Sequence, residues 1–264
     1  MEETKIKGRA MPKRIDINCD MGESFGAYKL GRDQEVMDYI SSANIACGWH
    51  AGDPMVMEQT VQLAKEKGVA VGAHVAYPDL MGFGRRRMEL SLNEIENYIL
   101  YQMGALYAFA KAHGLPLQHV KAHGALGNSA FVDLEVSKAI ARAAFRFNKD
   151  IILVTYSGTV MVQAAKEIGV RFVEEVYADR VYNPDGTLQS RKIAGSVIHD
   201  SEKAAWQALM SVQEGYVVAH NGTKVKVKSE SLCVHGDTPS ALSILQKIRE
   251  ELRKASIAVK PMGQ

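Results

Sequence analysis

Paired cysteines, phosphate-binding glycine loops and long apolar runs are all missing from this chain of 264 residues. Its three cysteines, Cys19, Cys47 and Cys233, are widely separated and form no Cys-x-x-Cys pair. That excludes a disulfide framework and a cysteine zinc site, and leaves buried, inert thiols in a reducing compartment. Neither Gly-x-x-x-x-Gly-Lys-Ser/Thr nor Gly-x-Gly-x-x-Gly occurs, so no ATP is expected in a P-loop here. No run is long enough to span a bilayer, and the polar segment 1–13 has no signal-peptide core, so a cytoplasmic protein is expected. An excess of one charge is lacking too: 32 basic against 30 acidic residues leave +2. Nothing in that balance calls for nucleic acid or an anionic membrane, which points to a small substrate.

Histidines at the ends of apolar runs are what the chain does have. Ser42-Ala43-Asn44-Ile45-Ala46-Cys47-Gly48-Trp49-His50-Ala51-Gly52-Asp53-Pro54 reads as strand, turn and helix, with Asp53 as cap and Pro54 in the first turn. The same grammar recurs at Val69 to His74, Val120 to Gly124 and Leu232 to Pro239. If these runs are parallel strands, His50, His74, His123 and His235 all arrive at one carboxyl edge, where such folds keep their chemistry.

Strict alternation over Arg14 to Asp20 puts Ile15, Ile17 and Cys19 on one face and Asp16, Asn18 and Asp20 on the other. An edge strand with a wet face accounts for this. In a central barrel strand the polar face would point inward, at about 1–3 kcal/mol for each unpartnered group, which suggests use. Glu23, in the loop that follows, joins Asp20 as a pair able to hold a metal or to divide acid and base roles. Strand 119–123 places His119, Lys121 and His123 on one face; the lysine either holds an anion or acts as a base with a depressed pKa. In the glycine-punctuated loop 77–87, one of the arginines can clamp a carboxylate while Arg87 is solvated. Glu175, Asp179 and Arg180 gather at a strand end, as a structural ion pair or as part of a site.

Helices are expected from Asp53 to about Lys67, Ser91 to about His113, Asp133 to Phe147, Thr159 to Ile168 and Asp237 to Ala255. Strands are expected at 151–155 and 171–176, with 224–229 a lysine-guarded edge. About seven strands alternating with helices, without a linker, favour one α/β domain over 1–264, a parallel barrel with an irregular lead-in at 1–13.

These motifs together resemble the LamB/YcsF family. They are Asp20-Met21-Gly22-Glu23-Ser24-Phe25-Gly26, the 42–54 stretch, Gly72-Ala73-His74, Pro78 to Arg86, Val120-Lys121, His123 to Leu126 and His235-Gly236-Asp237. The resemblance implies a distorted seven-stranded β/α barrel similar to the glycoside hydrolase/deacetylase type. It also implies ATP-dependent opening of 5-oxoproline to glutamate, with partner subunits B and C the expected place of phosphorylation. On that reading an activated, phosphorylated lactam is attacked by water, with Asp20 or Glu23 as general base. His50, His74 and His123 bind a divalent metal, with Asp20 a further candidate ligand, or stabilise the oxyanion. Lys121 and Arg86 hold anionic groups, and His235 with Asp237 assists proton transfer. Asp16, Asn18, Asn44, Arg85, Asp179 and Arg180 complete the candidate substrate contacts. Ala122, Gly127 and Val75 depart from the family pattern of proline, tyrosine and proline, which bears on loop rigidity and on an aromatic pocket wall. Two readings from other classes stand beside this one: a stand-alone metal-dependent carbohydrate deacetylase, and a non-catalytic carrier for a small ligand.

Overall fold

A computed structural model describes residues 14–236 and 238–263; the lead-in 1–13 and Asp237 lie outside the described residues. Seven parallel strands close into a barrel: β1 (Arg14–Met21), β2 (Ser42–Ala46), β3 (Ala70–Val75), β4 (Leu117–Ala122), β5 (Ile152–Tyr156), β6 (Arg171–Tyr177) and β9 (Ser231–Val234). Each pairs with the next, and β9 returns to β1 with Asp16 opposite Ser231 and Asn18 opposite Cys233. The expected seven-stranded α/β barrel is therefore the fold, and β1 is central, with β2 on one side and β9 on the other.

The distortion lies between β6 and β9. That connection carries α7 (Ser201–Gln213) and an antiparallel hairpin of β7 (Tyr216–Val218) and β8 (Lys224–Lys226), outside the barrel. A short β10 (Ala258–Val259) adds to the start of β1. The other helices are α1 (Asp33–Val36), α2 (Pro54–Lys67), α3 (Leu92–Ala112), α4 (Gly124–Val132), α5 (Leu134–Phe147), α6 (Val160–Ile168) and α8 (Ala241–Lys254). Among the described residues no helix is long and apolar enough to cross a membrane.

Local chemistry sets most boundaries. Asp53 accepts from the amides of Met55 and Val56 to start α2, and Ser91 and Glu94 form a reciprocal capping box on α3. Two helices depart from expectation. A separate α4 precedes Asp133, and α8 begins at Ala241 rather than at 237, because Thr238 spends its hydroxyl on the carbonyl of His235. Helix α7, capped by Asp200, is an addition to the expected set.

The apolar core is a shell around the barrel, not its lumen. Ile15, Ile17, Cys19 and Met21 face outward from β1 into packing with the helical layer, while Asp16, Asn18 and Asp20 face inward and are also buried. A wet edge strand is thus excluded, and the polar lumen is a built feature.

Candidate active site at the carboxyl edge of the barrel

The deepest layer is organised around Asp16. Its carboxylate accepts from Ser41 (2.7 Å), Ser42 (2.6 Å) and Ser231. Burial pushes its pKa up to about 6 in spite of those three hydroxyls. Above it, the Asn18 amide donates to Glu175 (2.8 Å) and Ser231 (2.7 Å), and the Asn44 amide donates to Asn18 (2.7 Å) and Asp20 (2.9 Å). His119, held neutral by burial with a pKa lowered to about 3, donates from Nε2 to Asn44 Oδ1 at 2.9 Å.

Lys121 is the hub of this network. Its Nζ lies 2.8 Å from Glu175 Oε2, 3.1 Å from Asn18 Oδ1, 3.4 Å from Asp20 Oδ1 and 3.0 Å from Cys233 Sγ. Burial alone would discharge the amine, but the carboxylates of Asp20 and Glu175 reverse that and hold its pKa well above the ordinary lysine value. Lys121 is therefore a fixed ammonium and not a base. Burial likewise pushes the Cys233 thiol far up, so it is an inert neighbour. Asp20 is buried too, but His74 and Lys121 hold its pKa well below the usual carboxylate range.

Beside this network, Glu23, His50, His74 and His123 converge, with one ligand atom of each within 4.8 Å of the others. The strand ends and following turns of β2, β3 and β4 deliver the three imidazoles. His74 donates from Nδ1 to the Lys121 carbonyl (3.3 Å), and His123 donates from Nε2 to the Phe83 carbonyl (2.9 Å). His74 Nε2 lies 3.0 Å from His123 Nδ1 and 3.3 Å from Asp20 Oδ1. His50 stacks on His123 with centroids 3.9 Å apart, and its Nε2 is 3.3 Å from Glu23. Burial lowers the pKa of both His50 and His123 well below the ordinary value. Among the described residues, the buried Nδ1 of His50 has no hydrogen-bond partner. Three converging imidazoles, a nearby carboxylate and an unsatisfied ring nitrogen are what a divalent cation satisfies, so the cluster fits a metal.

A second group, Asp20, Cys233 and His235, has ligand atoms equally close. It does not need an ion, because the Lys121 ammonium already sits at 3.4 Å from the carboxylate and 3.0 Å from the sulfur.

His235 is held by Asp179. Its Nδ1 donates to Asp179 (2.9 Å), and its main-chain amide donates to the same carboxylate (2.9 Å). Asp179 is fully buried, and burial notwithstanding, His235 keeps its pKa below the ordinary value. Asp179 thus orients His235; Asp237, expected to assist proton transfer with His235, lies outside the described residues.

These groups open into a pocket of about 680 Å³ lined by Asp20, His74, Lys121, His123 and His235 at one end and by Arg85, Arg180, Arg191 and Lys192 elsewhere. Arg85 lies over the Phe83 ring at 4.9 Å. Arg86, expected as an anion clamp, turns out of the pocket: its guanidinium pairs with Asp79, and its side chain is 68% exposed. The pair staples the loop that carries Phe83 and Gly84. Gly84 has φ +64°, and a Cβ there would fall 2.8 Å from both His123 and His50, so only glycine lets this backbone roof the imidazoles. Asp16, Asn18 and Asn44 lie beneath the pocket and shape it through Lys121 and Asp20, without lining it.

An aromatic wall adds residues that the sequence did not single out. Phe131 stacks on Tyr156 (4.1 Å), Tyr156 on Tyr177 (5.5 Å) and Tyr177 on His235 (5.2 Å). Tyr156 donates to the Ala122 carbonyl at 2.9 Å, and a Cβ on residue 127 would stand 2.7 Å from its hydroxyl. Gly127 therefore makes room for Tyr156, and the wall persists on residues from other elements. The sequence signal was an aromatic at the end of each of two apolar runs, Tyr156 and Tyr177. Ser41, Ser42 and Ser231 carried no comparable signal.

Fold and site together define a β/α barrel with a buried imidazole–carboxylate centre at its carboxyl edge. The LamB/YcsF family profile matches residues 15–264, and the chain belongs to that family. A protein of Pyrococcus horikoshii, named as the A subunit of 5-oxoprolinase, is 54% identical over 251 residues, covering 95% of this chain and 98% of that one. One of the same name from Campylobacter jejuni is 50% identical over 246 residues, covering 93% and 96%. Among solved structures, the lactam utilization protein of Thermus thermophilus superposes with a TM-score of 0.89 at 46% identity, covering 94% of this chain and 99% of that one. A peptidoglycan N-acetylglucosamine deacetylase domain of Eubacterium rectale shares the fold at a TM-score of 0.52 and 10% identity, covering 97% and 91%.

Proposed function

We propose that this chain is the A subunit of an ATP-dependent 5-oxoprolinase and opens the lactam of 5-oxoproline to glutamate. The observation that carries this reading is a site with an oriented imidazole, a fixed ammonium and a metal-competent cluster in one pocket, in a chain more than 50% identical to proteins of that name. A lactam carbonyl is a poor electrophile, so coupling to ATP suits the chemistry. The chain has no P-loop, and partner subunits B and C supply the phosphorylation in the cytoplasm.

In the ring-opening step water adds to the carbonyl carbon of the phosphorylated lactam, the C–N bond breaks as the departing nitrogen takes a proton, and a second water releases inorganic phosphate from the resulting acyl phosphate to leave glutamate. His235, aligned by Asp179, accepts the proton of the attacking water and passes it to that nitrogen. Asp20 is a weaker base than its position suggests, because Lys121 and His74 stabilise its ionised form. It orders the site instead. The Lys121 ammonium steadies negative charge developing nearby. Glu23, His50, His74 and His123 would hold a divalent ion, which supplies Lewis acidity at the carbonyl.

Glutamate release from 5-oxoproline and ATP tests the reading, with this chain alone, with B and C, and with B and C alone. Release only from the full mixture is expected. If no mixture of verified subunits releases glutamate, the reading is wrong, and acetylated sugars become the next substrates to assay with the isolated chain.

A further inference from the structure

Arg180 follows Asp179 just past the end of β6 and is 6% exposed. Arginine carries its charge at any physiological pH, so a buried one calls for an anion. Here the guanidinium meets only main-chain carbonyls. Nε donates to Ser196 at 3.3 Å and Nη2 to Gln189 at 2.5 Å, and no carboxylate pairs with it among the described residues. The neighbouring Asp179 carboxylate offsets part of the charge from a distance, but its hydrogen bonds go to His235. The backbone of Arg180 is pinned by the Gln207 amide, which donates to the Arg180 carbonyl at 2.9 Å, and by a bridge to Val197. The result is a fixed, oriented cation that these contacts do not neutralise.

That cation lines the 680 Å³ pocket, where Asp20 is the lone carboxylate among the described lining residues and Arg85, Lys121, Arg191 and Lys192 are further cations. Lys121 is neutralised within the barrel by Glu175 and Asp20. Arg191 is close enough to repel Arg180, which compounds the cost of burying it.

We propose that Arg180 is the subsite for an anionic oxygen group of the ligand, and so fixes which end of the ring faces His235 and the imidazole cluster. Lactam opening, if it is the activity, offers two sources for that group: the ring carboxylate, or a phosphoryl group on an activated lactam. The identity of the ligand rests on the function proposed above; the subsite does not.

The test is calorimetry on the isolated full chain with three probes: 5-oxoproline, inorganic phosphate, and 2-pyrrolidinone, which is the same ring without the carboxylate. Arg180→Met is expected to weaken at least one anion by about ten- to a hundredfold, the range for a lost charge-assisted contact, and to leave 2-pyrrolidinone unchanged. Arg180→Lys keeps the charge without the fork, and is expected to fall in between. Loss confined to 5-oxoproline assigns the carboxylate, loss confined to phosphate assigns the phosphoryl group, and loss of both assigns a shared site. Anion binding unchanged in a folded Arg180→Met protein overturns the proposal, as does a wild-type chain that binds neither anion at millimolar concentration. If glutamate release from the full mixture fails while Arg180-dependent anion binding persists, the lactam reading falls and the subsite stands.

Discussion

Two buried polar clusters adjoin at the top of this barrel, and they differ in what closes them. The lower one, Asp20, Asn18, Asn44 and Glu175, is closed by the chain's own ammonium, with Lys121 within 3.4 Å of three oxygen-bearing partners. In the upper one, Glu23, His50, His74 and His123, three imidazoles and a carboxylate converge, and His50 Nδ1 has no hydrogen-bond partner among the described residues. Yet the same strands serve both, since β3 supplies His74 and β4 supplies Lys121 and leads into His123. A network closed by its own ammonium is structural first, whereas three imidazoles and a carboxylate that converge with an unsatisfied ring nitrogen are arranged for something that arrives.

The difference is broken most severely by Lys121→Met. It leaves Glu175 and Asp20 buried against each other, and stability in urea is expected to drop by about 3–5 kcal/mol. Adding Glu175→Gln removes one of those stranded charges and recovers part of the loss. A Lys121→Met protein as stable as wild type would mean that the lower cluster is not closed by this ion pair.

Asp16 probes the floor of the lower cluster through pH. Its folded pKa, about 6, lies above the unfolded value of 3.8, so the folded state binds the proton more tightly. The resulting stability is fully present below pH 3.8 and is lost as pH rises to about 6. A displacement of that size corresponds to about 3 kcal/mol. Asp16→Asn should flatten that slope in urea titrations between about pH 4 and 7. An unchanged slope would place the proton elsewhere.

For the upper cluster the corresponding perturbation is to supply the ion. Zinc or manganese at about a hundred times its dissociation constant should stabilise the chain by about 2.7 kcal/mol. His74→Ala should abolish that gain, while His113→Ala, at a histidine that meets Glu58 on the outer surface, should not. Equal metal stabilisation in both variants would remove the distinction between the clusters.

How much of this was legible depended on periodicity. Alternation at 14–20 and histidines at four strand ends marked the barrel and the faces that converge, because a period of two survives any detail of packing. Which partners those residues take was not legible. Asp179 lies 56 residues from His235, and Glu175 reaches Lys121 across the lumen, so neither pairing leaves a local trace. Arg86 misled for the opposite reason: local sequence placed it beside glycines at a site, but the nearer Asp79 captured it. The same applies to α7, whose cap at Asp200 was readable but whose place in an insertion between β6 and β9 was not.

The smallest expected effect concerns the wall above Lys121. Gly127→Ala sets a methyl group 2.7 Å from the Tyr156 hydroxyl and 3.0 Å from the Ala122 carbonyl, so Tyr156 must give up its hydrogen bond. Overpacking of this kind costs about 1–3 kcal/mol, and the true value falls toward the lower end if the ring can tilt. Tyr156→Phe removes the oxygen that the methyl group meets first, so the alanine should cost less in that background than in wild type. The coupling measured in a double-mutant cycle then reports contact between the two positions. Metal stabilisation of the upper cluster should be untouched in all four proteins, since Gly127 meets His123 only through its main-chain amide, 3.3 Å from the His123 carbonyl, and not at the imidazole. If Gly127→Ala weakened metal binding as well, the two clusters would be mechanically linked through α4, and the contrast between a closed network and an open one would describe charge alone.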